Sequence, residues 1–245
     1  MKPSFKRLHV VIAEAGVGSR RYAETLIRDR KVRVNGSVIR VQGMKVDPAH
    51  DRIEVNGKTL RFEIPTKKYY LFYKPAGVVT TLKDPNAKRT VQDYFRDVPE
   101  RLFPAGRLDK DSTGLLLMTN DGKLVHQLTH PRFGVEKNYR VTIDRALSID
   151  TINALQRGIV LEGKRTAPCK IKPLPMKPNR GMELMMTLHE GRKRQIRLMM
   201  KTTGASVVRL HREQYGPLVL GDLKPGEKRQ LSQEEVQSLK RLVSL

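Results

Sequence analysis

Hydrophobic positions along this chain follow two different periods. Near the start, LHVVIAEAG (8–16) reads as a short helix closed by Gly16. In RRYAETLIRDR (20–30), Ala23, Leu26 and Ile27 recur at helical spacing. Ser19 stands where its hydroxyl can accept a hydrogen bond from an otherwise unpaired N–H of the first turn. The period then shortens to two. KVRVNG (31–36), VIRVQG (38–43) and RIEVNG (52–57) predict short strands, and the Asn-Gly pairs at 35–36 and 56–57 predict tight turns because both residues tolerate positive φ. Further on, YYLFYK (69–74), GVVTT (77–81), TGLLLMT (113–119), NYRVTI (138–143), PCKIKPL (168–174), MELMMTLH (182–189) and ASVVRLHREQY (205–215) predict strands. Residues 121–130, 149–158, 191–203 and 233–243 predict helices. Many strands without regular strand–helix alternation predict an α+β protein. Its parts would be a small N-terminal α/β domain and a larger mixed, mainly antiparallel-sheet domain. Pro65 disfavours helix in FEIPTKK (62–68), which marks a linker. The expected boundaries are 5–61 for the small domain, 62–68 for the linker and 69–245 for the larger domain.

Charge narrows the function. Among 245 residues there are 48 Lys and Arg against 25 Asp and Glu, a net charge of +23. Self-repulsion on this scale opposes compaction, so a polyanionic partner is expected, and nucleic acid is the first candidate. With 38% hydrophobic residues the chain is apolar enough to fold. It has no run of about 18 apolar residues for a membrane span and no amphipathic or lipid anchor, so no membrane partner is expected. Glu14 and the early return to Arg20 and Arg21 argue against a signal peptide. A lone cysteine, Cys169, cannot form an internal disulfide, which suits a reducing cytoplasm. No phosphate-binding loop, zinc-protease or dinucleotide fingerprint occurs, and the six histidines have no metal spacing. No cofactor and no metal are expected.

The run RLHVVIAEAGVGSRRYAETLIRDRKVRVNG (7–36) resembles the S4 RNA-binding domain. Its marks are a short helix, a glycine, Ser-Arg-Arg, a second helix and a Val-x-Val-Asn-Gly turn. Arg20 and Arg21 stand at a helix N-terminus, where free N–H groups already favour phosphate. Lys31 and Arg33 lie just beyond that helix. Together they predict a positive shelf for an RNA backbone, giving affinity with little sequence reading.

The most informative segment is PAGRLDKDSTGLLLMTNDG (104–122). Here the chain turns at Gly106, exposes Arg107 and Asp109, and enters a hydrophobic strand. This run resembles the Gly-Arg-Leu-Asp signature of pseudouridine synthases, in the branch acting on single uridines of ribosomal RNA. KPAGVVTT (74–81), EGRKRQIRLMM (190–200) and VVRLHREQYGPL (207–218) fit the same branch, so the resemblance runs through nearly the whole chain.

That resemblance implies a reaction in which a uridine is detached at its glycosidic bond, rotated and rejoined through carbon, with no cofactor. It assigns Asp109 as the nucleophile. Attack on the ribose, attack on the base and an elimination route all remain open. A carboxylate in a water-excluding pocket needs a nearby cation to stay ionised, and the resemblance puts Arg197 there. On a helix over 191–203, Arg194, Arg197 and Lys201 would share one face, leaving Arg194 for RNA phosphates. Tyr139 corresponds to the tyrosine that stacks on the target base, Val208 to an apolar residue on the base's other side, and Arg107 to an arginine that holds the flipped nucleotide open. Asp111 and Asp121 could suggest a glycosidase-like pair with Asp109, but the better expectation is that Asp111 fixes the loop and Asp121 caps the next helix. HREQYGPL (211–218) is expected to line the site as strand and turn, not to supply a catalytic histidine. The implied partner is ribosomal RNA or a pre-ribosomal particle, with large-subunit RNA favoured over small-subunit RNA. A monomer without an obligate protein partner is expected. Two other readings compete: a non-catalytic S4-type RNA-binding or ribosome-associated protein, and a hydrolase of RNA or nucleosides using Asp109 and Asp111.

Overall fold

The computed structural model describes residues 5–61, 66–175 and 181–244. It divides into two compact units, Met1–Thr66 and Lys67–Leu245. Residues 62–65 of the expected linker lie outside the described residues.

In the first unit, α1 (Leu8–Glu14) and α2 (Arg20–Arg28) pack on a four-stranded sheet. The Ser19 hydroxyl accepts from the Tyr22 N–H at 3.0 Å, so the predicted cap forms. Leu8, Val11, Ile12, Ala23, Leu26 and Ile27 bury one stripe of each helix against Val32, Val34, Ile53 and Val55. The strands are β1 (Val32–Val34), β2 (Ser37–Val38), β3 (Ile53–Val55) and β4 (Lys58–Thr59), in sheet order β2-β1-β3-β4. Asn35 and Gly36 (φ 51° and 83°) and Asn56 and Gly57 (φ 50° and 76°) turn the two hairpins. The expected strand over 38–43 does not form beyond Val38. The Ile39 N–H donates the last rung to Val32 O. Beyond it no strand among the described residues pairs with the segment, and Val41 is 72% exposed. Alternation alone does not make a strand where there is no face to bury.

The second unit is built on a nine-stranded sheet. Its main strands are β5 (Tyr69–Lys74), β6 (Thr113–Thr119), β7 (Lys137–Ile143), β8 (Lys170–Pro173), β9 (Met182–Leu188), β10 (Val207–Tyr215) and β11 (Lys228–Gln230). They run in the order β8-β9-β7-β10-β6-β5-β11, with Phe103–Pro104 added to β6 and Leu218–Val219 added to β10. All pairs are antiparallel except β10 with β6, which touch at only two positions, His211 with Thr113 and Arg212 with Gly114. This short parallel junction divides the sheet into two antiparallel halves. Gly114 makes it possible: its φ is +110°, and a Cβ there would lie 2.2 Å from the Arg212 carbonyl oxygen.

Each half has its own core. Val141, Leu184, Met186 and Leu210 pack with Leu155 of α4 (Ile149–Gln156) and with Ile196, Met199 and Met200. In the other half, β5 and β6 are buried on both faces, which explains the unbroken apolar run of TGLLLMT. Leu71, Leu115 and Leu117 meet Leu124 of α3 (Gly122–Thr129) and Leu239 of α6 (Gln233–Leu242), while Phe72, Leu116 and Met118 meet Phe95 and Leu102. Asp121 caps α3 as expected, accepting from the Leu124 N–H at 3.2 Å.

Two expectations need correction. GVVTT (77–81) is not a strand; only an isolated bridge joins Val79 to Thr90, and Thr80 is turned to a different use described below. The helix expected over 191–203 begins later, as α5 (Gln195–Thr202). Arg194 takes a left-handed conformation (φ 53°), and the Gln195 side chain reaches back to accept from the Arg192 N–H and donate to Glu190. Residues 191–194 therefore form a turn tied to the first helical residue.

Candidate active site

The loop from Ala105 to Ser112 leaves the short strand Phe103–Pro104, turns at Gly106 (φ +85°) and feeds β6 at the parallel junction. Its backbone is held along its length. The Ala105 N–H donates to Leu117 O at 2.8 Å. Leu108 is buried, and the Thr80 hydroxyl bonds both its backbone groups, donating to its carbonyl at 2.6 Å and facing its N–H at 3.3 Å. Underneath lies Lys74, fully buried at the end of β5. Its ammonium donates to the carbonyls of Pro75 (2.9 Å), Lys110 (3.0 Å) and Ser112 (2.7 Å), so all three protons are used. Burial pulls the Lys74 pKa down to about 8, partly offset by the charges of Asp111 and Asp109.

Gripped in this way, the loop presents Asp109 at the surface, its side chain 29% exposed. Arg197 approaches from α5, with Nε 3.9 Å from Asp109 Oδ2. Its Nη1 donates to Val207 O at 3.1 Å, which ties the arginine to the start of β10. The Nε is buried and has no hydrogen-bond partner of its own, so a shift of under 1 Å would turn the ion pair into a direct hydrogen bond. Catalytic contacts are often long before substrate is bound.

The neighbouring strands complete the surroundings. Tyr139 lies half-buried on β7, directly opposite Arg212 on β10. Arg212 is 2% exposed, and its guanidinium donates from Nε to Leu115 O at 2.8 Å and places Nη1 3.5 Å from the Tyr139 hydroxyl. Lys137, also buried, donates to Val135 O; burial and the charge of Arg212 bring its pKa down to about 8. The β7, β10 and β6 strands are consecutive in the sheet. A carboxylate from the loop before β6 thus meets a guanidinium from α5, while Tyr139 stands on β7 opposite Arg212, the β10 residue that pairs with Gly114 at the parallel junction.

Within the sequence, residues 68–202 match the family model for RNA pseudouridylate synthase. The chain belongs to the RNA pseudouridylate synthase family. This synthase also matches the S4 domain over residues 6–53. It is 43% identical over 238 residues to the ribosomal large subunit pseudouridine synthase B of Bacillus subtilis (strain 168), covering 97% of this chain and 96% of that protein. It is 36% identical over 236 residues to the ribosomal small subunit pseudouridine synthase A of Escherichia coli (strain K12), covering 95% and 99%. A crystal structure of a pseudouridylate synthase superposes with a TM-score of 0.68 at 33% identity, covering 95% of this chain and 99% of that one. The expected fold, a small S4 domain followed by a mixed-sheet synthase domain, is the one found.

In the synthase, Arg107 is exposed two residues before Asp109, and Val208 is 68% exposed beside Val207. Arg194 is exposed but precedes α5, so it does not share a helix face with Arg197 and Lys201 as expected. In the first unit Arg20, Arg21, Lys31 and Arg33 are all exposed. Asp121 is committed to its cap and to accepting from the Tyr69 hydroxyl at 2.8 Å. His211 faces Thr113 Oγ1 at 2.9 Å and packs on Tyr73; burial lowers its pKa. Among the described residues no cluster of three or more His, Cys, Asp or Glu could hold a metal ion, and no helix is long and apolar enough to cross a membrane.

Sequence reading missed Lys74, Thr80 and Arg212. Lys74 falls two residues after Phe72 on an inward position of YYLFYK, and Arg212 two after Leu210. A charged residue continuing an inward period of two was the available signal.

Proposed function

We propose that this synthase converts a specific uridine of ribosomal RNA into pseudouridine, with large-subunit RNA as its substrate and Asp109 as nucleophile. The observation that carries this reading is the Asp109–Arg197 pair, 3.9 Å apart on a rigidly held loop, in a chain matching ribosomal RNA pseudouridine synthases along nearly its whole length. The higher identity to the large-subunit relative, 43% against 36%, supports the choice of RNA.

The reaction needs few parts. The N1–C1′ bond breaks and a C5–C1′ bond forms; a proton leaves C5 and one arrives at N1. No electrons are exchanged with the surroundings, so the chemistry calls for no redox partner. Asp109 initiates detachment, and Arg197 supplies its countercharge in a partly dehydrated site. The target base must leave its stack, at a cost of a few kcal/mol. Stacking on Tyr139 offsets this by roughly 1–3 kcal/mol, with Val208 against the other side of the base and Arg107 holding the extruded nucleotide. Arg20, Arg21, Lys31, Arg33 and Arg194 contact phosphates. The synthase acts as a monomer, in the cytoplasm where ribosomes assemble.

The experiment is to map pseudouridines in both ribosomal RNAs from cells with and without this chain, and to analyse products with purified RNA. Loss of a large-subunit pseudouridine, with mass-neutral conversion in vitro, is expected. A missing small-subunit site would redirect the substrate assignment. Released uracil or a cut strand would favour a hydrolase and overturn the isomerase reading.

A further inference from the structure

We propose that Arg212 is a positioning residue of the modification site, acting through Tyr139. The inference rests on the reading of Tyr139 as the base-stacking ring. Arg212 and Lys137 are two buried cations side by side, and their hydrogen bonds go to carbonyls and a phenol, not to carboxylates. One of the Arg212 nitrogens, Nη2, is buried with no hydrogen-bond partner. Among the described residues, the only compensation for the charge besides the bonds to Leu115 and Tyr139 is the face of the Tyr215 ring, 5.0 Å from the guanidinium carbon. Stripping a guanidinium of water without an anion is costly. Tying β10 to the Leu115 carbonyl requires only one N–H donor, which a neutral amide could supply. The positive charge therefore has a use beyond joining strands.

The chemistry of the site provides one. When the N1–C1′ bond breaks, its electron pair stays with the base, which must then rotate while remaining stacked. A ring that turned with the base would not guide it. Arg212 fixes the Tyr139 ring by its hydroxyl, and its charge stabilises the electron-rich base lying against that ring. At 3.5 Å the Arg212–Tyr139 contact is at the long end of hydrogen bonding and shortens once the base is seated.

The test is a mutant cycle with Arg212→Gln, Arg212→Lys, Tyr139→Phe and the Arg212→Gln/Tyr139→Phe double variant, reading kcat, KM, RNA affinity and melting temperature. Arg212→Gln and Tyr139→Phe should each lower kcat about tenfold, the size of one lost charge-assisted hydrogen bond. RNA affinity should stay within about threefold of wild type, and the double variant should lose little more than either single one. Arg212→Lys should recover part of the rate. Additive losses, a wild-type rate in Arg212→Gln, or activity, affinity and melting temperature falling in parallel would each overturn the proposal and leave Arg212 a strand anchor. If Arg212→Gln does not fold, Arg212→Lys in the wild-type and Tyr139→Phe backgrounds runs the same cycle, and equal fold-losses in both overturn it. Failure of the wild-type chain to make pseudouridine would instead overturn the function proposed above.

Discussion

At the residue scale, Lys74 joins the chemistry to the fold. Its three donated hydrogen bonds require an ammonium, because a neutral amine has only two protons to give. Its folded pKa, about 8, lies below the ordinary 10.5, so the charged form is disfavoured by folding. The cost to stability is full below about pH 8 and fades as pH rises towards 10.5, because over that range the unfolded chain binds the proton and the folded one does not. Lys137, also near 8, contributes in the same direction. Activity should move the other way, since deprotonation removes one of the three hydrogen bonds that Lys74 donates, two of which hold the loop at Lys110 and Ser112. Between pH 8 and 10 the urea midpoint should therefore gain from these two lysines while kcat/KM falls along a limb near pH 8. An activity profile flat to pH 10 would contradict the role given to Lys74. None of this was legible from sequence. The motif containing Lys74 was recognised, but its burial under a loop 36 residues away depends on a sheet register that no local pattern reveals. Asp109 and Arg197 were legible only because the resemblance carried them; composition and spacing alone would have left them among 73 charged residues.

At the element scale, most strands and helices followed from period and punctuation. Ser19, Asp121 and the two Asn-Gly turns behaved as their chemistry dictates. The strand expected over 38–43 stops at Val38 for want of a face to bury, and two other failures share a different cause. GVVTT has strand composition, but Thr80 is drawn to the Leu108 backbone, and the late start of α5 comes from Gln195 and Glu190 closing a turn that helix propensity would have opened. In both places tertiary hydrogen bonds override local preference. Gly114 shows the same dependence more sharply. Gly114→Ala brings a methyl against the Arg212 carbonyl at a backbone angle that L-residues avoid. It should cost roughly 3 kcal/mol or more and displace the loop carrying Asp109. A melting temperature and kcat near wild type would mean that the parallel junction is less constrained than described.

At the scale of the whole molecule, the charge of +23 is the property most directly readable from sequence and the least specific. It identifies a polyanion and says nothing of which nucleotide is changed. The resulting prediction is electrostatic. RNA affinity should fall steeply with salt, with a log–log slope of roughly 0.7–0.9 per phosphate contacted. Neutralising Arg20, Arg21, Lys31 and Arg33 together should weaken binding and flatten that slope. Binding indifferent to salt, or a slope unchanged in the fourfold variant, would remove the first unit from the RNA contact.

The measurement that goes most directly to the central claim is pseudouridine formation by Asp109→Asn on purified large-subunit RNA, with RNA binding followed in parallel. The substitution keeps the shape of the side chain and removes its charge and nucleophilicity. It should abolish product while leaving affinity within a few-fold of wild type. Conversion at the wild-type rate would contradict the account, because the carboxylate held beside Arg197 would then have no part in breaking the glycosidic bond.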